Sequence, residues 1–147
     1  MATATAGFGE AALTVERAAR EHRQRLRESA ALGNQPALEE LGEVASECGE
    51  VNWDGYGARP VEQETLRATY SLLDSLPFGF PLPSISAHPD GQLTLEWYRS
   101  PTRNFSISVD PDGWIHYAGL FGAGKHFGTV PSLGGIPGRI LRLASEV

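Results

Sequence analysis

Residues 119–126 read GLFGAGKH, and Gly119, Gly124 and Lys125 fall at the spacing of a phosphate-cradling loop, G-x-x-x-x-G-K-[ST]. Such a loop wraps backbone N–H groups around phosphates at the start of a helix, and a hydroxyl after the lysine holds magnesium. Here His126 stands where that hydroxyl is needed, and the following Phe127-Gly128-Thr129-Val130-Pro131 cannot open a useful helix. The stretch is expected to be a glycine-rich turn between two strands. Nucleotide chemistry is set aside.

A second constellation could move protons. His88, Glu96, Tyr98 and His116 offer two imidazoles, a carboxylate and a phenol. Period-two alternation puts Glu96, Tyr98 and His116 on one sheet face with Ser106 and Ser108, but His116 is expected opposite Ser108, two rungs from Glu96. No H-E-x-x-H, C-x-x-C or G-x-S-x-G occurs, and no three ligands have metal-site spacing, so no metal and no cofactor is expected. The single cysteine, Cys48, excludes an internal disulfide. It follows Glu47, and acidic neighbours raise a thiol pKa and blunt its reactivity.

The aromatic residues suggest recognition. Tyr98 and Trp114 fall on the face opposite the expected core, and Trp53 and Tyr56 fall in a loop. Exposed Trp and Tyr anchor protein interfaces. Packing of the N-terminal helices over that face, giving a second core, is the other reading.

The elements that position these residues follow from periodicity. Residues 10–31 lack Pro and Gly and are rich in helix formers, with a thin stripe of Leu13, Val15, Ala18, Ala19, His22, Leu26 and Ala30. That stripe suits weak packing or pairing with a second copy of the chain. Gly33 ends the helix. Asn34 is placed to cap a second helix, with Pro36 in its first turn and Leu38, Leu41, Val44 and Ala45 on its apolar side. A third helix is expected over 62–75, closed by Pro77.

After the extended FGFPLP connector at 78–83 the period becomes two. Four strands are expected, joined by near-identical turns His88-Pro89-Asp90-Gly91 and Asp110-Pro111-Asp112-Gly113. Folding about those turns pairs Ile85 with Leu95, Ala87 with Leu93, Trp97 with Phe105, Ile107 with Tyr117 and Val109 with Ile115. The hairpins agree on one apolar face, and a one-residue slip would destroy the agreement. A fifth strand or loop at 125–130 and a short helix at 137–146 complete the chain. The expected fold is α+β: N-terminal helices, a four- to five-stranded antiparallel meander, and a C-terminal helix on the sheet. Residues 1–34 read as a helical extension and 35–147 as the α+β domain.

The run Asn52-Trp53-Asp54-Gly55-Tyr56-Gly57-Ala58-Arg59-Pro60-Val61 is the most distinctive. With Pro89-Asp90-Gly91 and Glu96-Trp97-Tyr98 downstream, it resembles the W-D-G-Y-G-A-x-P-V loop, P-D-G turn and E-W-Y strand of a family of small, functionally uncharacterised bacterial proteins. The resemblance spans roughly residues 50–120. It implies no activity and no catalytic residues, but an association with mobile elements and with defence or toxin genes.

Charge narrows the functions. The net charge is −6, and Glu39, Glu40, Glu43, Glu47 and Glu50 form an acidic surface that would repel nucleic acid. The 147-residue chain lacks an apolar run long enough to cross a bilayer and begins without a secretion signal, so a cytoplasmic protein is expected. The leading expectation is a non-enzymatic module that inhibits or neutralises a protein partner, of antitoxin, immunity or anti-defence (anti-CRISPR) type. Its contacts would be Trp53, Asp54, Tyr56, Arg59, Tyr98, Trp114 and His116. The alternatives are a small enzyme built on Glu96 and His116 or on the 52–61 loop, and an acidic mimic of nucleic acid.

Overall fold

The computed structural model describes residues 4–132 and 136–147, and within its first helix the side chains of residues 9, 13–25, 27 and 32. Helices α1 (Ala4–Leu32), α2 (Gln35–Glu47) and α3 (Gln63–Asp74) come first. Strands β1 (Ser84–Ala87), β2 (Leu93–Ser100), β3 (Arg103–Val109), β4 (Trp114–Phe121) and β5 (Gly124–Pro131) follow, and α4 (Gly138–Ser145) closes the chain. The strands form one antiparallel meander in the order β1-β2-β3-β4-β5. The fold is α+β.

Alternation sets the register. Ile85 pairs with Leu95, Ala87 with Leu93, Trp97 with Phe105, Ile107 with Tyr117 and Val109 with Ile115, as the turns require. Gly91 and Gly113 take positive φ, 91° and 85°, at the positions where each turn needs a left-handed residue. The inner face buries Leu93, Leu95, Trp97, Phe105, Ile107, Val109 and Ile115 almost completely. Ala37 and Leu41 of α2, Leu72 and Leu73 of α3, and Ile140 and Ala144 of α4 join them in a single core. Each fully buried Leu, Ile or Val side chain contributes about 1.5–3 kcal/mol through removal from water.

The helices reveal details that periodicity does not. Asn34 precedes α2 but makes no side-chain cap; its Nδ2 instead donates to the carbonyl of Leu73 near the end of α3, at 2.9 Å. That carbonyl, which also accepts from the N–H of Leu76, takes the Asn34 amide as a further donor. In α3, Thr65 and Thr69 are buried beside Leu72 and Leu73, whereas Leu66 is only partly buried. Thr69 satisfies its hydroxyl on the carbonyl of Thr65, but Thr65 Oγ1 has no partner.

Helix α1 packs along β2, and also touches α2. The β1–β2 ladder ends at Ser84↔Glu96, so β2 continues beyond its neighbour towards Ser100. Ala18 is buried, and Arg25 donates to the carbonyl of Pro83 at 2.9 Å, while Leu13 and Val15 remain exposed. Leu26 and Ala30 of the expected stripe lie outside the described side chains.

Candidate functional site

The 52–61 loop is shaped by its own side chains. Asn52 takes a positive φ of 64°, its N–H donates to the carbonyl of Ala58, and its Oδ1 accepts from the N–H of Gly57 at 2.6 Å. Asp54 Oδ1 accepts from the N–H groups of Tyr56 and Ala58 at 2.8 and 3.0 Å. Trp53 lies half-buried against the core and donates Nε1 to the carbonyl of Arg59 at 2.9 Å. Trp53 and Asp54 thus build the loop. Tyr56, between two glycines of positive φ, is 93% exposed, and Arg59 projects beside it with only a loose 3.7 Å pairing to Glu62.

The loop is also anchored to the sheet. The N–H of Arg59 donates to the carbonyl of Pro89 at 2.9 Å, which ties it to the β1–β2 turn. Gly91 packs beside Pro60 and Pro111, bringing the β3–β4 turn to the same end of the molecule. Trp114 starts β4 immediately after that turn and is 45% exposed. The 52–61 loop, Trp114 and His116 therefore lie towards the same end of the sheet.

His116 sits in a network that alternation alone does not show. Its Nε2 lies 2.7 Å from Asp110 Oδ2 and its Nδ1 lies 3.0 Å from Thr129 Oγ1. Asp110 Oδ1 accepts in addition from the N–H groups of Asp112 and Trp114, at 2.9 Å each. Burial opposes ionisation of Asp110, but the Trp114 N–H, the His116 ring and the Asp112 N–H together hold its carboxyl below the usual carboxylate range. Across the same rung, Thr94 bridges His88 and Ser108 at 2.9 and 2.7 Å. Asp110 is the carboxylate that sequence reasoning missed. Its turn role was evident in D-P-D-G, and the available signal was the antiparallel hairpin that brings residues 110 and 116 back together.

The remaining candidates lie elsewhere. Glu96 and Tyr98 line a small cavity with Glu21, His22 and Arg25 of α1. Two strand spacings and two rungs separate Glu96 from His116, about 12 Å at ordinary sheet spacings, so the pair shares no substrate atom. Burial, then Arg99, lowers the pKa of His22 in this region. Of the acidic residues on α2, Glu40 is not a solvated acid. Its Oε1 accepts from the N–H of Ile85 at 2.9 Å and its Oε2 lies 3.6 Å from Arg25, closing the free edge of β1. Glu39 meets Gln35, while Glu43, Glu47 and Glu50 remain exposed. Cys48 is buried, and burial followed by Glu47 pushes its thiol up.

The glycines of GLFGAGKH serve packing. Gly119 lies within β4 opposite Phe105, and a Cβ there would come 2.7 Å from the rings of Phe105 and Phe121. The turn falls at Gly122, with φ of 66°, and Gly124 and Lys125 already belong to β5. No helix begins there. No helix among the described residues is long and apolar enough to cross a membrane. No family model, no curated protein and no solved structure matches the chain.

Proposed function

We propose that this is a non-enzymatic protein-binding module that acts by occupying its partner, as antitoxin, immunity and anti-defence proteins do. The observation that carries the reading is the exposed aromatic end of the sheet's outer face. Trp114 and Phe127 stand exposed there, and Tyr56 is presented at the same end as Trp114 by a loop whose other polar groups are internally satisfied. Large rigid aromatic side chains on a preformed backbone lose little entropy on binding, and such residues supply most interface energy. A photo-crosslinking residue placed at Tyr56 or Trp114 in the native cell is expected to trap one discrete protein. The same residue at Tyr70, exposed on α3, should trap none. Indistinguishable adducts from all three positions, or none at all, reject the proposal.

One observation favours an enzyme instead. Asp110, His116 and Thr129 form the carboxylate–imidazole–hydroxyl order that activates a nucleophile. Hydrolysis of p-nitrophenyl esters that disappears in both His116→Gln and Thr129→Val would establish that reading; a rate indifferent to both changes removes it.

A further inference from the structure

The two edges of the sheet are treated differently. At β1, Glu40 occupies the outward N–H of Ile85 and α2 packs against the strand. At β5, the other edge of the sheet, no strand or described helix cap closes the ladder. Half of the N–H and C=O groups of an edge strand point away from its only neighbour, a template for another extended segment. Lys125 and Pro131 guard the two ends of β5, and His126 to Thr129 between them are largely exposed.

Beside this edge runs a groove of about 420 Å³ between β5 and α4, lined by Tyr117, Lys125, His126, Phe127, Arg139, Arg142 and Leu143. No carboxylate lines it, although the chain as a whole carries a charge of −6. Arg139 and Arg142 lie three residues apart on α4, hence on one helix face. Neither guanidinium, nor the Lys125 ammonium, has an ion-pair or hydrogen-bond partner among the described residues. Concentrating cations against the overall charge balance costs self-repulsion unless an anion comes to meet them.

We infer that the β5 edge and its α4 groove receive an extended acidic segment of a partner protein, which adds a strand to the sheet and places alternate carboxylates towards Arg139 and Arg142, with Lys125 at the end of the edge. The inference extends the protein-binding reading to a second surface. Backbone pairing explains the bare edge and the carboxylates explain the bare cations, which is the usual division of labour in strand addition. A nucleic acid could use the cations but not the ladder, and the net charge of the chain opposes its approach.

The probe is a blocked heptapeptide, TEVEVET, titrated by fluorescence anisotropy at low salt, with TKVKVKT and a dT decamer as comparisons. TEVEVET should bind, and the exposed double change Arg139→Glu, Arg142→Glu should weaken it about ten-fold or more, because two charge contacts give way to repulsion. Hydrogen exchange on the same complex should show amides of β5 newly protected, and those of β1 unchanged. Equal binding of TKVKVKT, preference for the dT decamer, an unaffected double variant, absence of binding, or binding without protection in β5 would each overturn the inference. Because Trp114 and Tyr56 take no part in this assay, its failure leaves the crosslinking test of the proposed function intact.

Discussion

The two faces of the sheet come from alternate residues of the same strands and meet opposite fates. On the inner face, Leu95, Ile107 and Ile115 are buried under α2, α3 and α4. On the outer face, the described side chains of α1 meet the Glu96–Tyr98 end, and the opposite end keeps Trp114 in water beside a hydrogen-bonded row of hydroxyls and imidazoles. The contrast shows that a strand pattern determines where side chains point, whereas the placement of helices determines which of them are covered. The inner face carries the stability, and on the outer face Trp114 and Phe127 stand exposed.

The largest effects should come from the inner face. Leu95→Ala and Ile107→Ala should each lose about 2–5 kcal/mol in denaturant unfolding, because a well-packed core collapses little around the cavity. Losses below about 1 kcal/mol would contradict a single packed inner core. Next comes Gly119→Ala, whose new methyl would collide with the Phe105 and Phe121 rings; about 1–3 kcal/mol is expected. A neutral outcome would show that those rings move freely.

A smaller effect is expected from Asp110→Asn, roughly 1–2 kcal/mol at neutral pH, since the charged form is the one that the turn N–H groups and His116 prefer. The sign follows from the lowered pKa. The folded protein binds the proton less readily than the unfolded chain, so the contribution is complete above the ordinary carboxylate range and lost as pH falls through the folded value. Melting curves of the wild type and the Asn variant should therefore converge as pH falls below the ordinary carboxylate range. A constant gap would remove the Asp110 charge from the account.

The smallest stability effects belong to the bare residues. Trp114→Ala, Phe127→Ala and Tyr56→Ala should each stay within about 0.5 kcal/mol of the wild type while reducing partner capture. Thr65→Val tests the same logic in the core. It removes a hydroxyl with no partner at nearly constant volume and should leave stability unchanged or raised. A loss above about 1 kcal/mol from Trp114→Ala or Phe127→Ala would mean that the outer face is covered as well.

Most of the sheet was legible in the chain. The two P-D-G turns and the alternation of Leu93, Leu95 and Trp97 with Thr94, Glu96 and Tyr98 permit only one register, and the ladder adopts it. The loop at 52–61 was legible as a compact unit because Asn52, Asp54 and the paired glycines act on backbone only a few residues away. Asn34 was misleading for the same reason: a local cap was available, and a carbonyl of α3, distant in sequence, outcompeted it. Glu40 read as one more solvated acid until the edge of β1 was placed against it.

By itself, then, the sequence determined what acts over short range: helix spans, turn geometry, strand register, and which side chains share a face. Each depends on φ/ψ preferences and on a period of two or 3.6 that is written residue by residue. Tertiary structure decided the rest. It brought Asp110 against His116, tied the 52–61 loop to the β1–β2 turn, closed one sheet edge with Glu40 and set Arg139 and Arg142 beside the other. Those outcomes depend on which elements pack together across long stretches of chain, and the free energy that selects them is spread over the whole core, so no local pattern of residues records it.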